Sequence, residues 1–334
     1  MAAPVRFAIL GFGLHAVRRM LPAFAKSEQA EVIGIWRRDQ AAAKQNCSDH
    51  KIAHCFASAE ELCASPDVDA VFITSPDAMH HADALLAIRH GKAVLCEKPV
   101  AMNAAEAREM ADAAKAAGVL YGVAQNFRYN HSLDWMREQV RAGKIGQPQF
   151  AHAVYDYPAD RAPRKWIKDP SLACGGPIAD VGVHCIDALR YVLGEEVESI
   201  STLATKSAPE DQVEATAILQ MQMTAGVLAN VAVSARSPYR TLFEITGTDG
   251  LLFAENGLTV DRPIEIVHRR AGEIVETVTL SNADAYTRML DSFAQAVRGQ
   301  GSFAATGEDG VRNMAALDAA FLSWKSGQRE KLVS

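Results

Sequence analysis

Val5 to Leu10 is a short apolar run broken only by Arg6, and Gly11-Phe12-Gly13-Leu14-His15-Ala16 follows it directly. A strand buried on both faces of a parallel sheet reads as a near-continuous apolar run, whereas a half-exposed strand alternates. A helical stretch comes next, so the order is strand, glycine turn, helix. In that context each position of G-x-G-x-x-A has a physical task. The first glycine permits the tight turn, the second lets a pyrophosphate approach the backbone, and the small sixth residue lets helix pack on strand. Gly11, Phe12, Gly13, Leu14 and His15 are therefore the expected cradle of a dinucleotide. Pro22 is expected to kink the following helix or to sit near its start.

Glu31 to Trp36 reads as the next strand. An acid normally closes it and binds the ribose hydroxyls of NAD, while arginine suits the 2′-phosphate of NADP. Here the strand ends Trp36-Arg37-Arg38-Asp39, with Arg37 at the usual acid position. The sequence thus favours NADP(H), with NAD(H) possible, and makes Trp36, Arg37 and Arg38 cofactor candidates.

The alternation continues. Ser58 and Glu61 form a capping box. Asp69 to Ile73 reads as a strand that runs into Thr74-Ser75-Pro76. A helix is expected from about Met79 to His90, stopped by Gly91. Adjacent His80 and His81 point to different helix faces, which favours capping or packing over a metal site. Ala93 to Cys96 is another buried strand, ending at Glu97-Lys98-Pro99. Proline pushes Lys98 into an extended conformation, at the strand edge where open parallel sheets bind ligands. Asn103 with Glu106 caps a helix that ends at Gly118, and Tyr121 to Ala124 is the last strand of the series. Residues 1–124 are expected to form a doubly wound parallel sheet.

From Gln125 the texture changes, and residues 125–334 read as a second domain. A helix is expected from about Ser132 to Ala142 and a strand from Gln149 to Tyr157. Then comes a loop with Arg161, Arg164, Lys165 and Trp166. After Gly175-Gly176-Pro177, apolar residues recur at helical spacing from Ile178 to Val192, which puts Asp180 and His184 on one helix face. A carboxylate beside a histidine is a proton-handling pair. Val197–Thr205, Gln212–Met223, Ala225–Ser234, Thr241–Gly247, Leu251–Ala254, Leu258–Val260, Ile264–Arg269 and Ile274–Leu280 read as strands of an antiparallel or mixed sheet. Helices at about Ala285–Arg298 and Gly310–Ser326 close the chain. Arg128, Tyr155, Tyr157, Arg164 and Trp166 are candidates for the substrate pocket.

The net charge of −6 and the absence of a basic run argue against nucleic acid as a partner. No apolar run approaches about 18 residues, and the N-terminal apolar stretch is too short for a signal peptide, so neither membrane nor export is expected. The six cysteines show no C-x-x-C pair. Reduced packing residues, no metal site and a cytoplasmic location are the expectations.

Three segments carry a family resemblance: Gly11-Phe12-Gly13-Leu14-His15-Ala16, Glu97-Lys98-Pro99, and Gly175-Gly176-Pro177-Ile178-Ala179-Asp180-Val181-Gly182-Val183-His184. In this order and spacing the chain resembles the glucose-fructose oxidoreductase / inositol dehydrogenase / rhizopine catabolism (Gfo/Idh/MocA) family over essentially its full length. The resemblance implies an N-terminal Rossmann domain and a C-terminal α+β domain with a large, mostly antiparallel open sheet. It implies NAD(P)-dependent hydride transfer to or from a carbonyl or hydroxyl carbon of a sugar, polyol or related small molecule. It makes Lys98 the catalytic lysine, Asp180 and His184 its partners near substrate, and Glu97, Thr74, Ser75, Pro76 and Gln125 part of the cofactor surround. It also implies a homodimer or homotetramer through the C-terminal sheet. Alternatives within the resemblance are a dihydrodiol or biliverdin-type reductase and a non-catalytic dinucleotide-sensing regulator. The presence of Lys98, Asp180 and His184 together favours an enzyme.

Overall fold

The computed structural model describes residues 3–159 and 165–332. The chain divides into two compact units, Met1–Ala124 with Tyr286–Val311, and Gln125–Ala285 with Arg312–Ser334.

The first unit alternates strand and helix. Its strands are β1 (Val5–Leu10), β2 (Ala30–Trp36), β3 (His54–Cys55), β4 (Ala70–Ile73), β5 (Ala93–Cys96) and β6 (Tyr121–Val123). Between them run α1 (Leu21–Phe24), α2 (Gln40–His50), α3 (Ala59–Ala64), α4 (Asp77–Arg89) and α5 (Ala104–Ala117). The strands form one parallel sheet in the order β3-β2-β1-β4-β5-β6. The order reverses between β1 and β4, and a crevice outside the carboxyl ends of strands opens at such a switch point. Phe7, Ile9 and Leu10 of β1 and Phe72 and Ile73 of β4 are fully buried, as the unbroken apolar runs require.

Local signals act as their chemistry dictates. Glu61 N–H donates to Ser58 Oγ at 3.0 Å, and the Glu61 carboxylate accepts from Ala57 N–H at 2.7 Å. Asn103 accepts from Glu106 N–H at 2.9 Å, while the Glu106 carboxylate accepts from Met102 N–H at 3.0 Å. Pro22 lies in the first turn of α1, where its missing N–H costs no bond, after a π-helical turn over Ala16–Met20.

The second unit begins with α6 (His131–Arg141) and β7 (Pro148–Asp156). A π-helical turn, Ile178–Gly182, runs straight into α7 (Val183–Leu193). The strands that follow are β8 (Val197–Thr205), β9 (Thr216–Met223), β10 (Leu228–Ser234), β11 (Arg240–Gly247), β12 (Leu251–Glu255), β13 (Pro263–Arg270) and β14 (Glu273–Ser281). Helices α8 (Ala285–Val297) and α9 (Gly307–Ser326) precede the short β15 (Glu330–Lys331). One sheet takes the order β14-β13-β12-β11-β7-β10-β9-β8-β15, antiparallel throughout except for the parallel pair β7/β10.

Alternation along β9 sets the two faces of this sheet. Ala217, Leu219, Met221 and Met223 are buried, whereas Thr216, Ile218 and Gln220 are not. On the open face Leu203 is 76% exposed and is paired with Ile218, and Leu228 is paired with Phe150.

Three sequence expectations change. Leu258–Val260 is not a strand. Thr259 N–H bonds back to Asn256 O in a turn where Asn256 has a φ of 60°, and Thr259 O accepts from Asn282. Those backbone groups are therefore unavailable to a ladder. The helix read across Ile178–Val192 opens as a π turn. Tyr286–Val311, read in linear order with the second domain, packs with the first unit. There the Phe293 ring lies 5.9 Å from Phe7 and 5.1 Å from Phe303, and Val123 N–H donates to Ala305 O at 2.8 Å.

Candidate active site

In the first unit the glycine turn is closed by the neighbouring strands. Gly11 N–H donates to Trp36 O at 2.9 Å, Thr74 N–H donates to Leu10 O at 2.8 Å, and the Thr74 hydroxyl donates to Gly11 O at 2.8 Å. Gly11 has a φ of 91°, and a Cβ there would lie 2.4 Å from Ser75 N. Only glycine fits, for both conformational and steric reasons. Phe12 is buried, so its side chain supports the turn from within, while Leu14 is exposed. His15 Nε2 comes within 2.9 Å of Glu97 Oε1. This contact lies outside hydrogen-bond geometry, so it is an electrostatic approach that matters when the ring is protonated.

At the end of β2, Trp36 and Arg37 are half-buried and Arg38 is exposed. Arg37 donates to Asn46 Oδ1 at 2.9 Å, which ties its guanidinium to α2. Asp39 caps α2 by accepting from Ala42 N–H at 3.0 Å, so this acid is used structurally.

Lys98 follows β5, and its peptide to Pro99 is cis. Of the paired histidines, His81 contacts exposed Glu109 at 2.9 Å, whereas His80 is 1% exposed. Its Nδ1 lies 2.8 Å from Pro99 O and its Nε2 lies 2.8 Å from Ser75 O.

In the second unit, Asp180 lies in the π turn and His184 in the first turn of α7. π turns inserted into helices recur at functional sites. Tyr157 donates its hydroxyl to Asp180 Oδ2 at 2.6 Å. His184 Nδ1 lies 3.1 Å from Gln125 Oε1, an oxygen that only accepts, so the ring presents Nδ1–H there. The neutral ring then carries its lone pair on Nε2. Phe127 stacks on the same imidazole with ring centroids 4.5 Å apart, and Tyr155 stacks on Phe127 at 6.3 Å. Gln125 is fully buried, and its Nε2 has no partner among the described residues.

Arg128 gives Nε and a terminal nitrogen to the two oxygens of Asp187, at 2.8 and 2.7 Å, with both side chains buried. Asp187 also accepts from Asn313 at 2.8 Å, and Arg190 extends the network to Asn313 and Glu196. Arg128 thus braces the wall behind Phe127. Trp166 lies in a short 3-10 turn and is half-buried. Arg161 and Arg164 lie outside the described residues. A small pocket of about 60 Å³ opens beside Tyr157, Lys168, Pro177, Glu214 and Arg236.

Glu214 is absent from any sequence motif and is central here. Its carboxylate accepts from Gly176 N–H at 3.0 Å and Ile178 N–H at 2.7 Å, at the start of the π turn. Burial pushes its carboxyl up, against the opposing pull of these N–H donors. A Cβ on Gly176 would lie 2.0 Å from Glu214 O, so this glycine allows a close backbone approach. No local signal singles out Glu214, which follows Glu210, Asp211 and Gln212 at the entry to β9. None of the six cysteines is in a disulfide, and burial raises the Cys63 thiol to about 12 and Cys96 well above its usual value, as packing residues require. No group of three or more metal-ligating side chains occurs among the described residues, and no helix there is long and apolar enough to cross a membrane.

Residues 5–125 match the NAD-binding Rossmann-fold domain of the Gfo/Idh/MocA oxidoreductase family, and residues 134–253 match its C-terminal domain. The chain belongs to the Gfo/Idh/MocA family. It is 33% identical over 307 residues to 1,5-anhydro-D-fructose reductase of Ensifer adhaerens, covering 90% of this chain and 91% of that protein. It is 29% identical over 328 residues to D-xylose 1-dehydrogenase (NADP(+)) 2 of Haloferax volcanii, covering 98% and 99%. The crystal structure of aldose-aldose oxidoreductase from Caulobacter crescentus in complex with glycerol has the same fold, with a TM-score of 0.90, 22% identity, and coverage of 98% of this chain and 100% of that one. The Gfo/Idh/MocA assignment makes the chain an NAD(P)-binding oxidoreductase, built as a parallel six-stranded sheet and a mostly antiparallel nine-stranded sheet.

Proposed function

We propose that this chain is an NADP(H)-preferring oxidoreductase that moves hydride between nicotinamide and a carbonyl or carbinol carbon of a sugar, polyol or related small molecule. The observation that carries the reading is the anchoring of Asp180 by Tyr157 and of His184 by Gln125. An acid and an imidazole held in fixed orientations are suited to hydroxyl binding and proton transfer. The names of the Ensifer and Haloferax relatives support a sugar-like substrate.

Two features of the chain fit a dinucleotide. At Gly11 a side chain would strike Ser75, so the turn keeps its backbone bare. Gln125 keeps a buried amide N–H that lacks an acceptor among the described residues. In this reading Gly11, Phe12, Gly13, Leu14 and His15 hold the pyrophosphate by backbone, and Arg37 and Arg38 hold the 2′-phosphate beside Trp36. Thr74, Ser75, Pro76, Glu97 and Gln125 complete the cofactor surround. The bound cofactor supplies or accepts the hydride.

The protein moves the proton and holds charge. In reduction, protonated His184 gives its Nε2 proton to the nascent alkoxide, and in oxidation the neutral ring takes it back. The Nδ1–H bond to Gln125 selects the tautomer needed. Lys98 supplies positive charge where alkoxide develops. Asp180, bonded by Tyr157, accepts from substrate hydroxyls. Tyr155 and Trp166 form the pocket wall, with Arg128 as its brace. The reduced cysteines fit a cytoplasmic enzyme, and the apolar open face of the second sheet pairs copies of the chain as a homodimer or homotetramer.

The test is steady-state oxidation of NADPH and NADH with a panel of aldoses, ketoses and dicarbonyl sugars. Turnover with a sugar-like carbonyl and a preference for NADPH are expected. Lys98→Met should lower kcat about a hundredfold or more while cofactor binding stays. No turnover with any panel member, alongside retained cofactor binding, would point to a dinucleotide sensor instead.

A further inference from the structure

His80 is a buried histidine that the reaction scheme does not use. Its two ring nitrogens face two carbonyl oxygens, Pro99 O and Ser75 O, each at 2.8 Å. A carbonyl oxygen can only accept a hydrogen bond. Neutral imidazole has one N–H and one lone pair, so one of these contacts would set a lone pair against a lone pair. Both contacts are favourable only when both nitrogens carry hydrogen. We propose that His80 is held as a doubly protonated clamp, which ties the loop after β4 to the loop after β5 and so positions Lys98.

The surroundings fit a buried cation. Asp77 and Asp83 lie three residues before and after His80 on α4, and both are buried. Asp83 Oδ2 accepts the Ser75 hydroxyl at 2.7 Å, and burial pushes the Asp83 carboxyl up against the opposing pull of that bond and of His80. From the end of β5 comes Cys96, which interacts electrostatically with Glu97, Asp83 and Asp77. From α3 comes Cys63, whose thiol faces Asp83. Lys92 and Arg89 also act on Cys63, so charges of both signs lie around this end of α4. The two buried acids that flank the ring on α4 place negative charge near it.

The clamp joins the right two points. Ser75 is the residue that a Cβ on Gly11 would strike, so its loop is packed against the glycine turn. Pro99 is the residue after Lys98. A single planar ring therefore sets the spacing between the cofactor turn and the lysine loop. His80 is a positioning residue: it acts on Lys98 through Pro99. The kinetic consequence rests on the role proposed for Lys98, whereas the protonation state does not.

Two measurements on the full chain test this. The first is side-chain ¹⁵N NMR of the labelled wild type, with the His80 signals assigned by their loss in His80→Gln. Both ring nitrogens should show imidazolium shifts in the buffer of the rate assay. A neutral tautomer there overturns the proposal, whatever the enzyme turns over. The second compares His80→Asn, whose amide can replace Nδ1 at Pro99, with His80→Gln, whose amide can replace Nε2 at Ser75. The Asn variant should keep kcat within about threefold, while the Gln variant should lose about tenfold or more with cofactor Kd little changed. Equal kcat losses that follow melting temperature would reduce His80 to a packing residue and reject the positioning role.

Discussion

Tyr157 donates its hydroxyl to Asp180 Oδ2 over 2.6 Å, although the two residues lie 23 positions apart. The bond fixes one oxygen of the acid and leaves the other directed by that constraint. Hydrogen bonds to a carboxylate favour its charged form. Tyr157→Phe should therefore lower kcat/KM about ten- to hundredfold and move the acidic limb of its pH profile toward higher pH. The profile, measured with the best substrate of the panel, decides. An unmoved limb with full activity would remove Tyr157 from the site.

Gly11, Gly13, Lys98, Asp180 and His184 are candidates that the sequence offers, because each sits in a short segment whose chemistry is local. The contacts the fold gives these segments are not local. Gln125 meets His184 across 59 positions, and Glu214 meets Gly176 across 38. Such pairs depend on the register of β7, β9 and α7, which no local propensity encodes. The π turn at Ile178–Gly182 escaped for a related reason, since its apolar spacing also satisfies an α-helix over so few residues. His80 was visible as a histidine in a helix, but its two carbonyl acceptors come from loops that only the fold brings together.

Cofactor preference follows from Arg37 and Arg38. Arg37 is steadied by Asn46, which presents its guanidinium at the end of β2. Arginine matches phosphate by charge and by its planar fork. Arg37→Ala should weaken NADPH about tenfold or more and leave NADH nearly unchanged, as read by equilibrium fluorescence titration. Equal weakening of both would assign Arg37 to the fold alone.

The start of the π turn depends on Glu214 and Gly176. Glu214→Ala removes the acceptor of two buried N–H groups, each worth about 1–3 kcal/mol when orphaned. Gly176→Ala sets a methyl against Glu214 O. Both variants should melt several degrees lower and lose activity more than Tyr157→Phe does. Differential scanning calorimetry with parallel rate assays provides the check, and a melting temperature equal to wild type in both would contradict the role given to Glu214.

The Arg190–Glu196–Arg312 cluster predicts an acid-side effect on stability. Burial alone would raise the Glu196 carboxyl, but hydrogen bonds and charge from Arg190 and Arg312 outweigh it and hold the group below its ordinary value of 4.5. A carboxyl lowered on folding contributes stability above its unfolded value and loses it as pH falls through the folded one. Between about pH 5 and about pH 3, wild type should lose stability faster than Glu196→Gln does. Urea midpoints taken across that range measure the difference, and parallel curves would show the cluster to be neutral.

The open face of the second sheet gives the last expectation. Leu203 and Ile218 are cross-strand neighbours, exposed by 76% and 43%, and Leu228 and Phe150 form a second pair on the same face, beyond Gln220 and Asn230. Side chains directly opposite on paired strands share one face, so the apolar exposures here come as pairs on one side of the sheet. If copies of the chain pair through it, charge placed there is excluded from water in the oligomer and free in the monomer, so it acts on association more than on folding. Leu203→Glu combined with Ile218→Lys would supply a compensating cross-strand pair, so the informative variant carries glutamate at both positions. Light scattering after size exclusion should show wild type as a dimer or tetramer and the double glutamate variant as a monomer. Its melting temperature, taken at low protein concentration where wild type is also dissociated, should match that of wild type. A variant that keeps the wild-type mass would move the oligomer contact off this face.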